Sequence, residues 1–160
     1  MQIQGILDKV NHKTISSVEG ASETIQSLIM SFPMPIEIEQ EIVDSFAQEG
    51  LEYVAVRSSA TAEDGAEHAR AGQLDSFLNT SRENLIEKIR KCWASLFTPR
   101  AIFYRFEKDL NKEHISVAVV VQKMVQSEMS GIAFSVHPVT EDRNQMIIEA
   151  GYGLGEAIVS

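Results

Sequence analysis

With 160 residues, 44% of them hydrophobic, the chain holds enough material for one domain with a buried core. Its formal net charge of −9 argues against the basic face of a nucleic-acid surface, but a nucleotide asks only for a few local cations and a metal ion. A single cysteine, Cys92, leaves no internal disulfide framework or multi-cysteine zinc site and fits a reducing cytoplasm; no apolar run has the length of a membrane span, and MQIQGILDKVNHK lacks a signal peptide's apolar core.

The opening residues have weak periodicity and read as a flexible N-terminal segment over 1–17, with the domain itself over 18–160. Ala21, Ile25, Leu28 and Ile29 recur at helical spacing, which predicts an amphipathic helix from Val18 to Met30. Phe32-Pro33-Met34-Pro35 breaks it. Pro35 suits the first position of a second helix, with Ile38, Ile42 and Phe46 as its buried stripe and Gly50 as its stop. Leu51 to Ser58 reads as a strand, because Val54-Ala55-Val56 is too short and too β-rich for a helix. Ala60 to Ala71 has no continuous apolar face and reads as a long loop, before a short strand over Asp75 to Asn79.

Thr80-Ser81-Arg82-Glu83 has the spacing of a capping box, opening a helix whose inner face is Leu85, Ile86, Ile89, Cys92, Trp93 and Leu96. Thr98 and Pro99 start another, with Ile102, Phe103, Phe106 and Leu110 as its stripe. Ile115 to Val125 is a β-branched run of the kind expected for a strand covered on both faces. Gly131 to His137, ended by Pro138, and Gln145 to Ala150 read as two more strands, and Gly151, Gly153 and Gly155 permit tight turns after them. Helices, a strand, a loop, more helices and then a sheet give an α+β or layered α/β domain.

The chemistry concentrates at Val54-Ala55-Val56-Arg57-Ser58-Ser59. The strand delivers one guanidinium to its end, followed by hydroxyls and a small-residue segment with Ala71-Gly72-Gln73. The residue types allow two readings: a bidentate grip on phosphate oxygens, or a solvated arginine at a strand end beside a serine turn. Trp93 and Cys92 fall on an apolar helix face and read as core. Asp142, Glu149 and Glu156 invite a magnesium reading, since hard cations prefer carboxylates, but the GxGE pattern is shared by many tight turns. There is no Walker P-loop, Rossmann fingerprint or Ser-His-Asp spacing.

The motifs VAVRSSATAEDG…AGQLDSFLN, KCWASLFTPRAIFYR, VAVVVQKMVQSEMSGIAFSVHPVT and IIEAGYGLGEAIVS stand in this order from about Thr24 to the last residue. Together they resemble the N-terminal ATP-binding domain of the phosphoenolpyruvate synthase and pyruvate phosphate dikinase family, a domain shared with rifampicin phosphotransferases. The resemblance implies an ATP-grasp-like fold of mixed or antiparallel sheet with packed helices, of which this chain holds the central part. It implies that Arg57 contacts nucleotide phosphates and that Gly72 and Gln73 belong to a loop folding over them. The family commonly has Ser-Phe-Ala-Gly-Gln there, where this chain has His68-Ala69-Arg70-Ala71-Gly72-Gln73. Arg70 reads as a further phosphate contact or as an exposed loop arginine. Gln122, Met124 and Val125 correspond to the hinge beside adenine, against an ordinary strand end with a core methionine.

The implied cofactors are ATP and Mg2+, with the principal metal ligands expected outside this chain and no metal ligand assigned within it. Glu149 and Glu156 then read as supporting or structural. The implied partners are a swivelling domain with a phosphohistidine and a pyruvate-binding domain. None of His12, His68, His114 and His137 lies in a phosphohistidine motif. The family's upstream ATP-contacting lysine lies in a segment this chain lacks. The reading is a cytoplasmic ATP-dependent phosphotransferase as part of a longer chain, inactive in isolation. The alternative is a shortened non-catalytic module that binds a nucleotide or a partner.

Overall fold

The computed structural model describes residues 2–60, 75–108, 110 and 116–159. The chain divides into two compact units, Met1–Met124 and Val125–Ser160.

In the first unit, the segment read as a lead-in carries helix α1 (Gln2–Leu7), whose Leu7 is buried in a cluster with Val18, Ile25 and Ile102. Helix α2 (Ile15–Ser31) begins earlier than its apolar stripe suggested and buries Val18, Ala21, Ser22 and Ile25. Its C-terminal carbonyls, which lack helical partners, are met from a distant helix: the Arg90 guanidinium donates to the carbonyls of Ile29, at 3.2 Å, Met30, and Phe32, at 2.6 Å. Helix α3 (Ile36–Gln48) follows Pro35 and ends at Gly50, which has φ +60°. Of its expected stripe, Phe46 is buried and Ile42 half-buried, while Ile38 is exposed.

Strands β1 (Val54–Ala60), β2 (Ser76–Thr80) and β3 (Val117–Lys123) form a three-stranded sheet in the order β2-β1-β3, antiparallel throughout. Val54 pairs with Thr80 but Val56 with Phe77, so Leu78 and Asn79 both face Ala55 across a bulge. Asn79 sits there at φ +48°, a left-handed conformation that asparagine tolerates better than most residues. Helix α4 (Leu85–Ala94) lies against the sheet, its Leu85, Ile89 and Cys92 packed with Val54, Val56, Met34 and Phe46. Helix α5 (Pro99–Glu107) starts on Thr98, whose hydroxyl accepts the Ala101 N–H at 3.2 Å.

Three expectations are corrected. The capping box does not form, because Thr80 is buried as the last residue of β2 and its hydroxyl donates to the Phe77 carbonyl at 3.3 Å. Ser81 stands at the N-cap position of a short 3-10 turn without capping it, its hydroxyl donating to the Glu83 carboxylate. On α5 one member of the stripe is displaced: Ile102 and Leu110 are buried and Phe106 packs on the same cluster, but Phe103 is 50% exposed, while Ala101 and Arg105 are buried. A buried guanidinium is tolerable there because it lies 5.0 Å from the Phe97 ring centroid, in cation–π contact. Strand β3, expected to be covered on both faces, alternates half-buried and exposed residues over Val117–Val120, as befits a strand paired with β1 and packed on one side.

Cys92 is fully buried, with its Sγ 3.8 Å from the Val56 carbonyl and 3.7 Å from that of Asp75. Burial, reinforced by the Asp75 charge, pushes its thiol up to about 11. The folded protein should therefore resist iodoacetamide at pH 8 and be alkylated only on unfolding, as read by mass spectrometry. The neutral thiol is favoured in the fold, so its contribution is intact below the ordinary thiol range. That contribution is lost as pH rises through that range towards about 11.

In the second unit, β4 (Met129–Phe134) and β5 (Ile147–Tyr152) form an antiparallel pair in which Gly131 faces Ala150. A Cβ at Gly131 would stand 2.9 Å from the Glu149 carbonyl oxygen, so glycine is required for the close approach. Gly153, at φ +89°, turns the chain beyond β5; its N–H donates to the Glu128 carbonyl at 2.8 Å, and its carbonyl accepts from the hydroxyls of Ser127, at 3.2 Å, and Ser130. The short helix α6 (Glu156–Val159) follows. The described architecture is α+β, with antiparallel sheets and packed helices. Among the described residues no helix is long and apolar enough to cross a membrane.

Candidate functional site

The sheet of the first unit has two unlike faces. Strand alternation sets Val54, Val56 and Ser58 on the side that packs against α4, and Ala55, Arg57 and Ser59 on the other. Ser58, read only as part of a hydroxyl pair, serves the fold, because its Oγ donates to the Asp75 carbonyl at 3.0 Å and ties β1 to the residue before β2. Arg57 and Ser59 remain exposed.

The register of β3 puts Ala118, Val120 and Gln122 directly opposite Ser59, Arg57 and Ala55, hence on that same outer side. Past the last ladder pair, the Met124 N–H donates to the Tyr53 carbonyl at 3.0 Å, carrying the pairing on to Met124. On β2, Ser76 lies opposite Arg57. Arg57 reaches diagonally over Val120, and its Nη1 donates to Gln122 Oε1 at 3.2 Å. The outer face thus joins a guanidinium and a side-chain amide to the hydroxyls of Ser59 and Ser76. Beside them lies an apolar strip with Tyr53 41% and Val120 48% exposed. A cation near a flat apolar strip can hold an anionic group while a planar ring lies on the sheet.

Three of the six expected site residues, Arg57, Gln122 and Met124, therefore come together on one face, although far apart in sequence. Val125 begins the second unit and is 75% exposed. Gly72 and Gln73 lie outside the described residues, as do His68 and Arg70. Sequence reading missed Tyr53 and Ser76, and took Ser59 only as one of two hydroxyls after Arg57. The period of two, counted from Arg57 along β1, would have found Tyr53 and Ser59; Ser76 needed the register of β2. Cavities of about 430 Å³, near Phe32, Met34 and Trp93, and about 570 Å³, near His12, Pro99 and Phe103, lie among the helices. Neither has Arg57, Gln122 or Met124 in its lining.

The acidic candidates do not assemble a metal position. Among the described residues no three His, Cys, Asp or Glu side chains converge on one point. Asp142 Oδ1 accepts from the backbone and side-chain N–H groups of Asn144 at 2.9 and 3.1 Å. Glu149 is exposed on β5 opposite Ile132, and Glu156 lies in the first turn of α6. The described residues thus do not fit a magnesium ion by themselves. The described histidines have local partners too: His12 stacks on Phe106 at 5.2 Å, and His137 Nδ1 accepts the N–H groups of Val139 and Thr140 at 3.2 Å each. His114 is outside the described residues.

Comparison with known proteins gives this face a context. Residues 1–160 match the family described as "Pyruvate phosphate dikinase, AMP/ATP-binding domain". The chain is 43% identical to "Phosphoenolpyruvate synthase" of Pyrococcus furiosus over 99% of its own length and 20% of that protein. It is 58% identical to "Probable phosphoenolpyruvate synthase" of Archaeoglobus fulgidus over 71% of this chain and 15% of that one. It is also 44% identical to "Rifampicin phosphotransferase" of Bacillus cereus over 87% of this chain and 16% of that one. The chain spans about a fifth of the length of curated relatives such as the Pyrococcus furiosus protein. With the motifs, the antiparallel sheet and a match along its whole length, the chain belongs to the pyruvate phosphate dikinase AMP/ATP-binding domain family.

Proposed function

We propose that this chain is the nucleotide-binding part of a phosphoenolpyruvate synthase-like phosphotransferase, and that the outer face of β2-β1-β3 receives ATP in an ATP-grasp-like arrangement. The observation that carries the reading is the exposed Arg57 guanidinium, held by Gln122 beside an apolar strip, in a chain of an AMP/ATP-binding family. Arg57 binds phosphate oxygens and neutralises charge that builds on them during transfer. Gly72 and Gln73 close over the phosphates, Met124 and Val125 line the adenine, and Gln122 stands between the two parts of the nucleotide. In the longer protein the β-phosphate passes to a histidine on a swivelling domain and the γ-phosphate to water, leaving AMP and inorganic phosphate. The phosphohistidine then donates to pyruvate, or to a drug hydroxyl as the rifampicin relative suggests. Magnesium, held by acidic ligands expected outside this chain, would offset charge on the phosphates.

Titrating Mg-ATP into the chain while following amide chemical shifts tests this. Shifts should cluster at residues 53–59 and 118–125 and vanish in Arg57→Ala; no shifts at millimolar ATP would defeat the reading. A second reading, a module that packs against a partner, draws on the second unit, where Met129, Val139, Ile148 and Tyr152 are 67–89% exposed. Under it the Mg-ATP titration would be silent and the chain would self-associate or bind another domain.

A further inference from the structure

We propose that Gln122 is a positioning residue for Arg57, rather than the base-reading residue that family resemblance suggests. The inference rests on the ATP-binding reading above and assigns a division of labour within that face.

An arginine on an open sheet face has several rotatable bonds and no fixed place for its charge. The residue directly opposite Arg57 on β3 is Val120, which offers no side-chain acceptor. The next residue on the same face is Gln122, and the guanidinium spans the diagonal to it, with Nη1 to Oε1 at 3.2 Å. This contact also fixes the amide's orientation. Arginine carries donors and no acceptor, so Gln122 must present its oxygen and keep its NH2 for another partner. Its carbonyl is then engaged by Arg57 and not by the donor edge of a base.

The chemistry of the acceptor matters as much as its place. A neutral amide orients the guanidinium without cancelling its charge, whereas a carboxylate there would form an ion pair and compete with phosphate. One bond occupies one of the five N–H groups, leaving the others for an anion. The side chain next along the strip, Met124, is apolar, so the polar end of the face is the Arg57–Gln122 pair with the serines, and the apolar end is Tyr53 with Met124.

The test measures binding of three ligands, Mg-ATP, inorganic tripolyphosphate and adenosine, to the protein and to Gln122→Ala, Gln122→Glu, Arg57→Ala and the Arg57→Ala/Gln122→Ala double variant. Arg57 side-chain nitrogen relaxation by NMR is followed alongside. We expect Gln122→Ala to weaken ATP and tripolyphosphate alike by about threefold to tenfold, to spare adenosine and to mobilise the Arg57 guanidinium. Gln122→Glu should weaken tripolyphosphate further, and Gln122→Ala should add nothing once Arg57 is alanine. The inference is overturned if Gln122→Ala weakens adenosine as much as ATP, if its effect adds fully to that of Arg57→Ala, or if Arg57 relaxation is unchanged. Those results leave the ATP-binding reading standing. Tripolyphosphate and ATP that fail to bind the unaltered protein would overturn both.

Discussion

Alanine at position 57 should lower ATP-dependent phosphotransfer by the longer protein by about two to three orders of magnitude, the loss typical when one preorganised donor to transition-state charge is removed. Placement is the first reason. β1 is the central strand of its sheet, paired on both sides, and its inner residues Val54 and Val56 are fully buried, so the Cα of Arg57 has little freedom. The side chain projects from that fixed base onto an exposed face, which is what a residue needs if it is to meet a ligand without reorganising the fold. Because Arg57 is exposed, its loss should leave stability within about 0.5 kcal/mol, so the activity effect is separable from folding. Lysine should recover only part of the rate, since a point charge cannot reproduce the planar fork. The measurement is single-turnover phosphoryl transfer, alongside thermal unfolding of each variant. Full activity in Arg57→Ala would refute the assignment.

Leu85→Ala should destabilise the first unit by about 2–5 kcal/mol. Leu85 is fully buried at the start of α4, in the cluster with Val54, Val56, Ile89 and Cys92 that backs the sheet. Truncation removes apolar contact and leaves a cavity between two elements, neither of which can collapse freely: β1 is held by ladders on both sides, and α4 by the Arg90 bonds to the end of α2. A loss of that size is a large share of the stability of an ordinary domain. Urea unfolding followed by Trp93 fluorescence would check it, and a change below about 1 kcal/mol would show that the helix–sheet layer is not the stabilising core.

Much of the layer was legible because its signals are local. Pro35 and Gly50 bracket α3, Thr98 and Pro99 open α5, and the stripe from Leu85 to Trp93 marks the face of α4. What escaped was whatever depends on partners distant in sequence. The Thr80 hydroxyl looked like a cap until strand pairing buried it, and the burial of Arg105, which no stripe marked, rests on the Phe97 ring. The bulge at Asn79 has no signature in a single strand, since it exists only relative to β1. At the candidate site, Arg57 and Gln122 were each singled out by motif, but their bond depends on a register set by the β1–β3 ladder. Family resemblance could supply the residues' identities; only the register shows that Arg57, Gln122 and Met124 share a face.

The alternation along β1 has a consequence for how such a protein can diverge. Within one seven-residue strand, Val54 and Val56 answer to the helical layer, while Arg57 and Ser59 answer to whatever rests on the sheet. Two sets of instructions are interleaved letter by letter, and neither set need change when the other does. Substitutions at the exposed odd positions can change what the sheet's outer face presents while the even positions keep the scaffold intact, so that face can diverge without passing through unfolded ancestors.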